Sequence, residues 1–285
     1  MQSGLHQKFV QMHVEYFSEL EAHRNCMFIY WHRLFLLGYE NMLRSTALES
    51  VCVTIPVWDH LAATARRSNG VCSSMETCAP VISDFGGSQL GAIKNLRIFN
   101  VTIPSDASNL CVSDGPMYDF CGNNTDCAHC IIRGNTQVNT YPGEAYFASV
   151  YQQMFTSNSW ASFTSTIEGG VHNTVHSQLG GIMMYFQSPI DPLFYTHHAF
   201  VDALQTIYLK CQLGSDSSML TATQKGSDSR FWTSCARRFK GYYTNTDEVY
   251  MALQGYSGEW VHITKDPKNI LYPYFKDLPK KFADL

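Results

Sequence analysis

Two stretches decide how this chain is read: His172-Asn173-Thr174-Val175-His176, and Asp191-Pro192-Leu193-Phe194-Tyr195-Thr196-His197-His198-Ala199-Phe200-Val201-Asp202. Histidines four apart on a helix lie one turn above each other on the same face, which makes a ready chelator. Asp191 is placed to cap a helix with Pro192 at its first position, so His197 and His198 ride in the first turns of a helix running to about Leu209. Upstream, Phe9, Val10, His13, Phe17 and Leu20 recur at helical spacing over 7–22, and Phe28, Trp31, Phe35, Tyr39 and Leu43 do so over 27–48. His13 lies on the apolar face of the first of these helices, and His23 and His32 bracket the start of the second. A single histidine is ordinarily a core or surface residue. This many imidazoles on apolar helix faces are costly to bury unless something coordinates them. All-imidazole ligation suits copper, zinc or iron. No Glu-x-x-His pair of the di-iron kind lies near these histidines, and the His-Glu-x-x-His of metalloproteases is missing.

Composition narrows the class. Of 285 residues 45% are hydrophobic, 13% aromatic and only 15% charged, with a net charge of -4. Such a chain supports one sizeable core and is not expected to be disordered. The basic residues occur as doublets (Arg66-Arg67, Arg237-Arg238, Lys280-Lys281), so no nucleic-acid partner is expected. No apolar run reaches the length of a bilayer span, and Met1 to His6 lacks the apolar core of a signal peptide. Neither a repeat nor a dividing linker is visible, and a single domain over 1–285 is expected. Residues 171–179 restart a helix after Gly169-Gly170 breaks one over 143–167. An irregular insertion rich in Gly, Pro, Asn and Cys occupies about 68–142.

That insertion holds six of the ten cysteines. An even number in a loop-rich stretch predicts disulfides of undetermined pairing, and with them an oxidising compartment. Cys127-Ala-His-Cys130 is read the same way rather than as a zinc or redox motif, because no second ligand pair stands at zinc-finger spacing. The sequons Asn100-Val-Thr102 and Asn123-Asn-Thr125 point to a secreted or luminal glycoprotein.

At these residues the chain resembles the tyrosinase family of type 3 binuclear copper proteins, most of all in the style of animal tyrosinases. Ala22-His23-Arg24, Trp31-His32-Arg33-Leu34-Phe35-Leu36 and Tyr39-Glu40 resemble the first copper motif. Phe9-Val10-Gln11-Met12-His13 resembles the segment with the first ligand. Ile55-Pro56-Val57-Trp58-Asp59 is similar to the segment that follows, the two stretches quoted first resemble the second copper motif, and Tyr272-Pro273-Tyr274 resembles the closing tyrosine motif. The likeness runs in blocks over about 9–274 and leaves the insertion unmatched. It implies a mainly α fold, a four-helix bundle core around a dicopper centre. His13, His23 and His32 would hold one copper and His172, His176 and His198 the other. His197 and Asp202 would orient ligand imidazoles from behind. His6 stands as an alternative first ligand, since His13 and His23 are closely spaced. Glu21 occupies the place of a cysteine that forms a thioether in some members.

The resemblance further implies oxidation of small phenols by dioxygen: ortho-hydroxylation of monophenols and conversion of ortho-diphenols to ortho-quinones, the chemistry of melanin biosynthesis. Glu168 and Asn173 resemble the pair that holds a water to take the phenol proton. The plainer reading makes Glu168 a helix-end charge and Asn173 a polar turn residue. Ser177 would stand at the substrate entrance. Gly180-Gly181 fits either backbone room there or a simple helix stop. Rival readings are a catechol oxidase without monophenol activity, a haemocyanin-like dioxygen carrier, and a zinc-loaded isomerase. A carrier would need a further domain shielding the coppers, which does not follow Tyr274 in this sequence, so an enzyme is expected.

Overall fold

The computed structural model describes residues 4–120, 127–156, 159–213, 220–255, 257–265 and 273–285. Cys121, the sequon at Asn123 and Tyr272 lie outside them. The fold is mainly α. Helices run over α1 Leu5–Val14, α2 Tyr16–Ala22, α3 Phe28–Arg44, α4 His60–Ser68, α5 Met75–Cys78, α6 Pro80–Asp84, α7 Phe147–Phe155, α8 Trp160–Ile167, α9 Asn173–Leu179, α10 Pro192–Leu213, α11 Ala222–Ser227 and α12 Ser229–Trp232. No helix among the described residues is long and apolar enough to cross a membrane.

The chain forms two compact units and passes between them repeatedly. One comprises Met1–Gln11, Trp58–Val150 and Gly170–His197; the other comprises Met12–Val57, Tyr151–Gly169 and His198–Leu285.

In the second unit α3 is the organising helix. Its apolar positions close into a buried face in which Trp31 stacks on Phe35 at 5.2 Å, and the Trp31 indole N–H donates to the Tyr250 carbonyl. Gly38 admits the Phe275 ring so closely that a Cβ there would lie 2.3 Å from it. The expected helix over 7–22 is broken at Glu15, whose extended backbone and carboxylate, accepting from the Ser18 N–H, cap α2. A carboxylate cap has no signature in hydrophobic spacing, which is why the break was not predicted. The Cys26–Cys235 disulfide ties the start of α3 to the C-terminal segment across 209 residues.

The first unit is built around the insertion, which is less irregular than its composition suggests. It carries β1 Gly91–Ala92, β2 Leu96–Ile98, β3 Val101–Ile103, β4 Asn109–Val112 and β5 Ile131–Gly134. Strands of two to four residues are too short to display a period-two pattern. β1, β4 and β5 form one antiparallel sheet in the order β1-β4-β5, and β2 and β3 form a hairpin. Asn100 sits exposed at the hairpin tip with φ 66°. Disulfides Cys72–Cys78 and Cys111–Cys130 staple the insertion, and Cys127 is also disulfide-bonded. Cys130 thus belongs to a disulfide and not to a zinc site. Cys52 and Cys211 remain as exposed thiols. A third pair of strands, β6 Ala252–Gln254 and β7 Trp260–His262, lies in the second unit.

Candidate metal centre

Each unit gathers three histidines. In the second unit His13 comes from α1, His23 from the C-cap of α2, and His32 from the second turn of α3. Their nearest donor atoms all lie within 4.8 Å of one another, and all three residues are buried. His13 Nε2 stands 3.3 Å from His32 Nε2, while His32 Nδ1 donates to the Phe28 carbonyl one turn back at 2.9 Å. That backbone bond fixes the tautomer and leaves Nε2 as the lone-pair atom.

The short connection carrying His23 is held by three side chains. Asn25 Nδ2 donates to the Leu20, Glu21 and His23 carbonyls, closing the end of α2. Arg24 adopts a left-handed backbone, φ 57°, which a residue with a Cβ reaches only at a cost of about 1–2 kcal/mol. Its N–H donates to Glu168 Oε1 at 2.7 Å. Glu19 lies 3.8 Å from His23 Nδ1 and accepts from Arg238.

In the first unit His172, His176 and His197 form the other set, again with donor atoms within 4.8 Å. His172 closes a π-helical turn over Glu168–His172 whose winding breaks at Gly170. α9 follows and presents His176. Burial pushes the His176 imidazole down to about 4, with the Met183 carbonyl partly offsetting it, so the ring is neutral near pH 7. Its Nδ1 donates to that carbonyl at 2.6 Å. The turn that brings Met183 back needs Gly180 and Gly181, at φ 64° and 50°; a Cβ on Gly181 would meet the Ile132 carbonyl oxygen at 2.3 Å. The glycines therefore shape the support of a histidine as well as stopping the helix. His172 Nδ1 lies 2.9 Å from Asn173 Oδ1, and His197 Nδ1 lies 2.9 Å from His60 Nε2. Burial first, and then the neighbouring imidazoles, hold His197 well below the usual histidine range.

His197 lies with His172 and His176 in the first unit, while His198, the first residue of the following segment of the second unit, stacks on His32 with ring centroids 4.3 Å apart. Neighbouring helix positions point about 100° apart, so sequence adjacency cannot tell which of the two faces a given set. Asp202 Oδ1 accepts from Arg33 Nε at 2.5 Å, which holds α3 at the residue after His32. His6, the alternative first ligand, bonds the Ile190 carbonyl through Nε2 at 2.9 Å. Asn173 and Ser177 are exposed on α9, and Glu168 is buried.

His60 escaped the sequence reading. It is fully buried against Trp58, 4.5 Å between ring centroids, and burial lowers its pKa to about 3. Its position directly after Ile55-Pro56-Val57-Trp58-Asp59 was the available signal.

The donor sets fit a metal. His32, His172, His176 and His197 each engage Nδ1, directing Nε2 inward, which is how outer hydrogen bonds prepare imidazole ligands. Two all-imidazole triads on helices, with five of the six residues buried and His176 half-buried, have the donor set of a site that binds metal through histidines alone. Residues 3–210 match the family model for the common central domain of tyrosinase, and the chain belongs to the tyrosinase family. A tyrosinase of Streptomyces glaucescens is 29% identical over 233 residues, 75% of each chain. Tyrosinase P of Aspergillus terreus is 25% identical over 230 residues, 70% of this chain and 62% of its own length. A tyrosinase-like protein of Pinctada maxima is 28% identical over 211 residues, and the chain spans only 41% of it. Among solved structures, a polyphenol oxidase variant from Thermothelomyces thermophila shares the fold with a TM-score of 0.50 at 19% identity, covering 90% of this chain and 73% of that one. Copper is the metal that this family membership implies for the histidine triads.

Proposed function

We propose that this chain is a single catalytic domain that binds two coppers, one per triad, and uses them with dioxygen to oxidise small phenols. Monophenols are hydroxylated ortho to their hydroxyl, and ortho-diphenols become ortho-quinones. The observation that carries this reading is the pair of all-imidazole triads, buried except for the half-buried His176. His13, His23 and His32 hold one copper; His172, His176 and His197 hold the other. When bound, the metal pair supplies the electrons for dioxygen activation that no side chain supplies at neutral pH. The chain's own task is to keep the imidazoles neutral, dry and aimed. Burial does the first two, and the Phe28 and Met183 carbonyls, Asn173 and His60 do the third. The recurrent crossing of the chain between its units supports reading 1–285 as one domain. The disulfides and the exposed sequon at Asn100 support a secreted or luminal glycoprotein.

Hydroxylation needs an acceptor for the phenol proton, which leaves at a pKa near ~10. Burial raises Glu168 to about 7, with the Arg24 N–H pulling the other way, which suits a group exchanging protons near neutrality. Asn173 touches the ligand His172 directly. Asn173→Ala or Glu168→Gln is expected to depress monophenol turnover more than catechol turnover, measured side by side. One observation favours a catechol oxidase instead: Glu168 already supports the His23 turn through Arg24. On that reading both substrates lose equally.

A further inference from the structure

We infer that Arg133, on β5 of the cysteine-rich insertion, is the positioning residue for the His172–His176–His197 set. The inference rests on the proposal that each triad holds a copper.

That set is carried by the turn into α9, by α9 itself and by the first turns of α10, and the Gly180–Met184 exit supports His176. The insertion grips the end of α9, its exit and the start of α10. Asn139 Nδ2 donates to the Gln178 carbonyl at 2.7 Å, at the end of α9. Asn109 Oδ1 accepts the Gly181 N–H at 2.9 Å, fixing the turn that returns the Met183 carbonyl to His176. Arg133 grips α10. Its Nε and Nη2 bind the two oxygens of Asp191 at 2.9 and 2.8 Å, and both side chains are fully buried. Its Nη1 donates to the Phe85 and Gly87 carbonyls at 2.9 and 2.6 Å. A guanidinium has five N–H donors in a rigid fork, and a pair bound by both prongs has little freedom to rotate.

Asp191 does two things at once. Its Oδ1 also accepts the Leu193 N–H at 2.9 Å and so caps α10. The cap sets where the helix begins and hence its phase, and the phase decides which way His197 points. Arg133 is itself held in register: β4 and β5 pair with Asn109 opposite Gly134 and Leu110 opposite Arg133, and Cys111–Cys130 ties β4 to the residue just before β5. The insertion, which matched nothing in the motif reading, is thus the frame of one histidine set.

A purely structural arginine would weaken the whole protein; a positioning one acts on one metal. The test measures copper affinity by competition with a graded chelator, together with melting of the metal-free protein. His13→Ala leaves the His172 set as the competent site, and His172→Ala leaves the His13 set. Arg133→Met is placed in both backgrounds. Arg133→Met/Asp191→Asn accompanies it, since asparagine keeps the cap acceptor and removes a buried unpaired charge. Copper held by the His172 set should bind about 10- to 100-fold more weakly, the range seen when outer partners of ligands are lost, while copper held by the His13 set changes by less than about threefold. Asn139→Ala, which deletes one bond and no charge, should repeat the asymmetry with a smaller factor even if the arginine variants fail to fold. Equal weakening in both backgrounds, or unchanged affinity in both, overturns the inference. Failure of the His13→Ala and His172→Ala proteins themselves to bind copper overturns the proposed function instead.

Discussion

Alanine at His197 is expected to remove the copper of the His172 set and to lower catechol turnover roughly a thousandfold or more, because the metal is the catalyst. Alanine at His198 is expected to leave both coppers bound and to lower turnover by about tenfold, the scale of a lost outer partner. The distinction rests on helix phase. His197 shares its donor set with His172 and His176, and His60 engages its Nδ1. His198 lies flat against His32 and near Phe28, 6.2 Å between centroids. Copper analysis of the two purified variants decides. Loss of copper from His198→Ala with retention in His197→Ala would return the ligand role to the position implied by family resemblance.

Cys26→Ser is expected to be the most destabilising single change that touches neither metal set. The bond to Cys235 closes a loop of 209 residues. Loop-closure entropy for that length amounts to roughly 5 kcal/mol in the chain-entropy account, at the upper end of what disulfides deliver. For a chain of this size that corresponds to a melting temperature lower by about 8 °C. The location adds to the effect. The Cys26 carbonyl accepts the Trp160 indole N–H at 2.8 Å, and Trp160 stacks on Tyr30 at 4.7 Å, so the bond anchors the aromatic packing behind α3. Thermal unfolding of the metal-free protein followed by circular dichroism provides the measurement. A shift below about 3 °C would mean that packing alone holds the segment.

Much of the site was readable in the residues. His172 and His176 announce themselves by a spacing that helix geometry turns into a common face. Asp191-Pro192 announces the start of α10 because capping chemistry is local. The helix of His32 follows from apolar periodicity. What was not readable depends on contacts distant in sequence. The phase of the helix that carries His197 depends on where it starts, and the Asp191 cap that fixes the start is itself bonded to Arg133, 58 positions away. His60 acts through His197, 137 positions away. Asp202 turned to Arg33, 169 positions away. The break at Glu15 and the five strands of the insertion are invisible to periodicity for the opposite reason, being too local and too short to repeat.

The central claim is that two triads hold two coppers and turn over phenols. It is tested most directly by metal analysis of the copper-loaded protein together with oxygen uptake on a matched monophenol and catechol. The account predicts two coppers per chain, oxygen consumption with both substrates, and quinone from each. A single copper per chain, a preference for zinc, or two coppers that bind oxygen without forming quinone from catechol would contradict it.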